Sequence, residues 1–309
     1  MKQGTIAITG GTGLIGRALT KALLREGYSI IILTRRPEQH TPEAGIRYAA
    51  WDPVRQHMDP EAFAAADALI HLAGAGVAEG RWTAARKKEI VDSRVLGGHT
   101  LVESLRSLPN KVRAVIASSA TGWYGPDPVV PNPKPFSEDA PPFGDFLGQT
   151  CRQWEESIRP VEGMGRRLVI LRTGIVLSRE GGAYPELTKT LPFGIASILG
   201  GGAQRVPWIH IDDIVGIYLE ALRNGNWQGV YNGVAPKPVS NRELITTAAE
   251  TRGRFFVPAP VPAFALKLAV GEMSIEVLKS VTASADKVLG AGYRFRYPAI
   301  REAIAELER

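Results

Sequence analysis

The segment Thr9-Gly10-Gly11-Thr12-Gly13-Leu14-Ile15-Gly16, set directly behind the apolar run Thr5-Ile6-Ala7-Ile8, constrains this chain more than any other. Glycines at 10, 13 and 16 let a strand turn sharply into a helix and let backbone N–H groups approach a pyrophosphate at that helix's positive N-terminus. A glycine triplet alone is a weak signal, so the flanking residues decide. An amphipathic pattern over 14–25 and a second apolar strand over 29–34 close a βαβ unit around it. The segment therefore predicts a dinucleotide site held by Gly10, Thr12, Gly13, Leu14, Ile15 and Gly16. The competing reading is a glycine-rich turn that binds nothing.

The tip of the second strand distinguishes between cofactors. A site selective for NAD carries Asp or Glu about 20 residues past the glycines, where it accepts from the ribose 2′-OH. Here the chain reads Leu33-Thr34-Arg35-Arg36-Pro37, with no acid between Glu26 and Glu38. Guanidinium groups pair in a forked fashion with phosphate and stack on planar rings. NADP(H) is the predicted cofactor, with Arg35 and Arg36 as its clamps; the alternative is a pair of solvated surface arginines.

Length and composition fit a cytosolic enzyme. A chain of 309 residues with 44% hydrophobic content can bury one large α/β unit and a smaller lobe. The single cysteine excludes an internal disulfide framework, and no metal-ligand set is expected. No apolar stretch has membrane length, and the N-terminal residues run into a strand without a charged-then-apolar leader, so cytoplasm is the expected compartment. The formal charge of +6 is thinly spread. Its densest stretch, 81–94, is broken by Glu89 and Asp92 and punctuated by apolar residues at helical spacing, which reads as a solvated helix face rather than a nucleic-acid track. The excess suits an anionic cofactor and a small-molecule substrate.

Further along, apolar strands at 67–72, 114–118 and 168–173 alternate with helical segments ending near 107 and spanning 146–158. Such alternation builds a doubly wound parallel sheet with helices on both faces. The proline-rich piece 126–142 reads as a surface loop and a candidate lid. The expected organisation is a dinucleotide-binding domain over 1–177 and 206–234, and a smaller, mainly helical substrate lobe over 178–205 and 235–309.

Several motifs then occur in order: the Gly10/Gly13/Gly16 loop, Asp67-x-x-x-His71-Leu72-Ala73-Gly74, Ser118-Ser119-Ala120-Thr121 with Tyr124-Gly125, Leu171-Arg172, and Trp208-Ile209-His210-Ile211-Asp212-Asp213. Over nearly its whole length the chain resembles the extended short-chain dehydrogenase/reductases, the NAD-dependent epimerase/dehydratase-like group with a Rossmann-type fold. Trp51-Asp52-Pro53, Gly122-Trp123-Tyr124-Gly125 and the ending Gly292-Tyr293-Arg294-Phe295-Arg296-Tyr297-Pro298 resemble an atypical branch of that group, the epimerase-family proteins of unassigned substrate. The resemblance implies that Leu72, Ala73 and Gly74 line the cofactor groove, that Trp51 and Asp52 lie near the adenine, and that the protein forms a homodimer. Trp51 is equally readable as a packed loop aromatic.

One departure bears on chemistry. The wider family uses a Tyr and a Lys four residues apart on one helix for acid–base work. Aligning Glu155 with the acid that follows that Lys puts Leu147 and Cys151 at the two positions, and the segment 136–158 contains neither Tyr nor Lys. Cys151 shares a helical face with Leu147, Trp154 and Ile158, which favours a core thiol over a reactive thiolate. The remaining candidates for catalysis are Ser119, with Ser118 or Thr121 as alternates, and Tyr124. Arg172, Arg205 and Asn232 are the candidates for gripping an anionic substrate. His210 and Asp212 read as structural, Asp212 as a helix cap. Two functions follow: an NADP(H)-dependent oxidoreductase or epimerase acting on a nucleotide-sugar-like substrate, or a non-catalytic NADP(H)-binding sensor or assembly protein.

Overall fold

The computed structural model describes residues 3–309. Strand β1 (Thr5–Thr9) sends Ile6 and Ile8 to one face and Ala7 to the other, because successive strand residues point in opposite directions. After it come α1 (Leu14–Arg25), β2 (Ser29–Thr34), β3 (Ile46–Asp52), β4 (His57–Met58), α2 (Pro60–Ala65), β5 (Ala68–His71), α3 (Ala84–Ser107) and β6 (Ala114–Ala120). The chain continues through α4 (Phe146–Ile158), β7 (Arg167–Thr173), β8 (Ile175–Leu177), α5 (Ala183–Thr188), β9 (Ile195–Leu199), β10 (Arg205–Val206), β11 (Trp208–His210), α6 (Ile211–Arg223) and β12 (Gly229–Gly233). The last segment holds β13 (Val239–Ser240), α7 (Asn241–Thr251), β14 (Val257–Val261), α8 (Ala263–Val270), α9 (Ser274–Leu278), α10 (Asp286–Gly290) and α11 (Ile300–Leu307).

Eight strands form one sheet in the order β12-β7-β6-β5-β1-β2-β3-β4, parallel except for the β3–β4 hairpin. This is the expected α/β, doubly wound architecture. The order reverses at β1, which pairs with β2 on one side and β5 on the other, and ligands in such sheets bind beyond the carboxyl ends at that reversal. One core packs Ile6, Ile8, Leu19, Ile116 and Ile214 between the sheet and the α1/α6 face; the other packs Ala7, Leu33, Leu101, Leu105 and Ile170 against α3. A third core gathers Leu177, Trp208, Leu244 and Ile304 outside the main sheet.

Two expectations change. The chain beyond residue 235 is not helical throughout, since β13 pairs with β10 and β14 runs parallel to β9. Nor is the 126–142 loop free to swing. The Phe136 N–H donates to the Thr282 carbonyl at 2.8 Å, and the Ser284 N–H returns the bond to Phe136 at 2.9 Å. Asp127 accepts from the Ser280 hydroxyl at 2.8 Å and the Thr282 hydroxyl at 2.9 Å. The loop is a seam stitched to the C-terminal segment. Among the described residues, no helix is long and apolar enough to cross a membrane.

Candidate active site at the sheet reversal

The glycine loop joins β1 to α1 with little spare room. Gly10 has φ +71°, where a side chain is strained, and a Cβ there would lie 2.9 Å from the Ala73 nitrogen. A Cβ on Gly16 would collide with the Gly10 carbonyl oxygen. Gly13 caps α1 without a side-chain acceptor, and the first turn carries no acid. The first helical bond runs from the Arg17 N–H to the Gly13 carbonyl, and the Gly13 N–H donates to the Gly10 carbonyl at 3.0 Å, leaving the N–H groups of Leu14, Ile15 and Gly16 at the helix end without an intrahelical acceptor. The resulting cradle is small, electropositive and open at Thr12 and Gly13. Leu72, Ala73 and Gly74 border it at the tip of β5.

At the tips of β2 and β3 lies a pocket of about 600 Å³ lined by Thr34, Arg35, Arg36, Gln39, His40, Asp52 and Arg55. A neighbouring hollow of about 470 Å³ shares Arg35, Asp52 and Arg55 and adds Trp51 and His57. Arg55, which reaches the pocket through the β3–β4 hairpin, was not singled out from the sequence. Asp52 is largely committed: its Oδ1 accepts from the Val54 and Arg55 N–H groups at 2.9 and 3.2 Å, and its Oδ2 stands 3.7 Å from the Arg55 guanidinium. It shapes the turn and steadies Arg55. Trp51 is only 5% exposed and packs edge-on against His71, so most of its surface is core.

The structure brings Ser119, Tyr124, Arg172 and Asn232 together, but inside the protein. Each is buried to 1% exposure or less, and so is Glu155. Arg172 donates to both Glu155 oxygens, Nε at 2.8 Å and Nη2 at 3.0 Å, and Ser119 donates to Glu155 at 2.8 Å. The Tyr124 hydroxyl donates to the Asn232 side-chain oxygen at 2.6 Å and lies 3.2 Å from Arg172 Nη1. Burial pushes the Tyr124 phenol up to about 12, even with Arg172 and Asn232 beside it. Burial also works against the Arg172 charge, yet the Glu155 carboxylate holds its pKa above the ordinary value. Every polar group of these four residues, expected at the catalytic and substrate positions, is enclosed and paired in this arrangement. Their role is to tie β6, β7, α4 and β12 into one wall. Arg205, on β10, is half-buried, and its side chain makes no ion pair among the described residues.

Helix α4 presents Leu147 and Cys151 to Gly122, in the turn after β6. Burial pushes the Cys151 thiol up to about 12, with Glu155 adding to the effect, as befits a core thiol. His71 is fully buried, its Nδ1 2.7 Å from the Thr9 hydroxyl and its Nε2 unpartnered. Burial, and secondarily Arg94, depresses its pKa to about 4. Arg94 is the other residue the sequence reading missed: assigned to a solvated face, it instead stacks its guanidinium 4.9 Å over the Trp154 ring.

Comparison with known proteins agrees with this architecture. Residues 6–232 match the NAD dependent epimerase/dehydratase family, and residues 261–307 match a domain of unknown function, DUF1731. The epimerase family protein YfhF of Bacillus subtilis is 34% identical over 304 residues, spanning 98% of this chain and 97% of that one. Among solved structures, human epimerase family protein SDR39U1 (isoform 2) with NADPH superposes with a TM-score of 0.87 at 29% identity, covering 98% of this chain and 99% of the human one. The nucleoside-diphosphate sugar epimerase from Corynebacterium glutamicum gives a TM-score of 0.77 at 32% identity, covering 99% of this chain and 58% of that chain. With both the glycine cradle and the full sheet matched, the chain belongs to the NAD-dependent epimerase/dehydratase family, in its SDR39U1-type branch.

Proposed function

We propose that this protein is an NADP(H)-dependent oxidoreductase or epimerase of the extended short-chain dehydrogenase/reductase type. The observation that carries the cofactor choice is the strand-end pocket, where Arg35, Arg36 and Arg55 surround a space whose single carboxylate, Asp52, is occupied by its own turn. Three forked cations suit a 2′-phosphate and offer nothing that accepts from a free 2′-hydroxyl. In this reading the cradle of Gly10, Thr12, Gly13, Leu14, Ile15 and Gly16 holds the pyrophosphate through backbone N–H groups, beside Leu72, Ala73 and Gly74, and Trp51 flanks the adenine. The human SDR39U1 structure, solved with NADPH, supports the same choice. When bound, the cofactor supplies or accepts a hydride.

The chain's own contribution is binding, orientation and charge. With Ser119 and Tyr124 enclosed and no Tyr–Lys pair on α4, proton exchange in this reading uses solvent or a substrate hydroxyl. Arg205 is the remaining candidate for an anionic substrate group such as a sugar diphosphate, the substrate class suggested by the Corynebacterium glutamicum relative. A second reading, a non-catalytic NADP(H)-responsive protein, is favoured by that same enclosure of the hydroxyls.

Calorimetric titration with NADPH and NADH tests the cofactor assignment. Replacing Arg35, Arg36 and Arg55 with Ala should weaken NADPH by about tenfold to a hundredfold, the size of one or two lost charge-assisted hydrogen bonds, and leave NADH nearly unchanged. Equal loss for both cofactors would remove the 2′-phosphate assignment. Turnover of the bound cofactor with sugar nucleotides then separates the enzyme from the sensor.

A further inference from the structure

Helix α3 passes close to α4 because Gly97 and Gly98 leave room: a Cβ on Gly98 would collide with Ser157. One turn earlier the same inward stripe, Ile90, Arg94, Gly97 and Leu101, places a cation where apolar contact is expected. Arg94 Nη1 donates to the carbonyls of Ala75 at 3.0 Å and Ile90 at 2.9 Å, while its plane stacks on Trp154. No carboxylate lies within ion-pair distance of it among the described residues. Arg86, two turns away, is by contrast matched by Glu79 and Glu89 at 3.1 and 2.7 Å.

The guanidinium also lies against the tip of β5. A Cβ on exposed Gly74 would lie 3.1 Å from the Arg94 Cζ, so glycine at 74 lets the chain after β5 pass this close to the cation. Nε and Nη2 make no hydrogen bond within the described residues, and neither is wholly shut off from solvent. The adenosine pocket lies on the opposite side of β1, at β2 and β3. A dinucleotide laid across the reversal therefore directs its other half toward β5 and Gly74.

We infer that Arg94 is a charge-setting residue of the cofactor site, a fixed cation beside the nicotinamide half that makes the protein prefer the reduced over the oxidised dinucleotide. The inference rests on the cofactor reading above. Its physical basis is that the oxidised nicotinamide ring carries a positive charge, which is neutralised when the ring takes up a hydride. An unpaired guanidinium nearby repels the first form and not the second, and arginine keeps its charge throughout the working pH range.

The test is binding, not turnover. Dissociation constants for NADPH and NADP⁺ are measured by calorimetry on wild-type protein and on Arg94→Met, which keeps an unbranched chain over Trp154. Wild type should favour NADPH by about tenfold or more, the size of unit-charge interactions across a partly screened cleft. Arg94→Met should bring the two constants to within a factor of about three by removing that repulsion. Arg94→Lys, which keeps a charge, should keep most of the preference. Arg94→Gln repeats the neutralisation should the Met variant fold poorly. A preference unchanged in both neutral variants, or absent from wild type although both forms bind, overturns the role of Arg94 and leaves the cofactor assignment standing. A wild-type protein that takes up neither form overturns both.

Discussion

Replacing Glu155 with Gln probes the wall behind the site. The carboxylate holds Arg172 through two bonds of 2.8 and 3.0 Å and Ser119 through a third of 2.8 Å, with both charged residues 1% exposed. Removing one partner of such a pair strands the other charge in a medium that solvates it poorly, which costs about 3–5 kcal/mol. Two features soften the loss here. Arg172 also lies 3.6 Å over the Trp123 ring and donates to the Glu138 carbonyl at 2.9 Å, and both contacts survive the change. A retained cation–π contact is worth about 1–2 kcal/mol in a desolvated setting, so Glu155→Gln should cost about 2–4 kcal/mol. Urea unfolding followed by circular dichroism measures this directly. Adding Arg172→Met removes the stranded charge, and the double variant should recover at least about 1 kcal/mol relative to Glu155→Gln alone. A single-variant loss below about 1 kcal/mol, or a double variant whose loss is the plain sum of the two singles, would refute the reasoning that this is a coupled buried ion pair.

Two further outcomes are expected. His71, buried and neutral, has a pKa depressed from 6.5 to about 4, so the unfolded chain binds its proton first. Stability from this group is complete above pH 6.5 and is lost as pH falls toward about 4, by roughly 3 kcal/mol, and His71→Gln should flatten that part of the stability–pH curve; an unchanged slope contradicts the burial argument. Cys151→Ala should leave NADPH affinity nearly unchanged, and the native thiol should react with Ellman's reagent only on unfolding, because its pKa is raised to about 12 and it is 4% exposed. Rapid labelling of the native protein would place the thiol at the surface.

What was legible in the sequence was local. The glycine spacing at 10, 13 and 16 specified a strand–turn–helix because the turn itself is local, as in the clash a Cβ on Gly16 would make with the Gly10 carbonyl, and the alternation of Ile6, Ala7 and Ile8 specified the sheet's faces for the same reason. What escaped depended on distant partners. Prolines marked 126–142 as surface, but the groups that pin it, Ser280 and Thr282, lie some 150 positions from Asp127. Arg172 at a strand end looked like a grip for an anion, but Glu155 occupies its Nε and Nη2 and the Glu138 carbonyl its Nη1. Arg94 was averaged into a charged stretch, although its spacing from Ile90 and Gly97 carried the signal that it faces inward.

These differences separate two kinds of residue that sequence motifs run together. Ser119, Tyr124, Glu155, Arg172 and Asn232 hold β6, β7, α4 and β12 in register from within, so their loss should appear first as lost stability and only through it as lost affinity. Arg35, Arg36 and Arg55 make few contacts the fold depends on, and they line the pocket at the tips of β2 and β3. Their removal should therefore change affinity while leaving the unfolding midpoint almost fixed. The net charge of +6 takes on meaning in that division. Lys88 and Arg106 are balanced at the surface by Asp92 and Glu103, whereas Arg35 and Arg36 have no carboxylate within ion-pair distance among the described residues and Arg55 has only a loose contact with Asp52. A cleft lined with permanent cations suits an anionic dinucleotide at any working pH, because guanidinium groups keep their charge throughout that range.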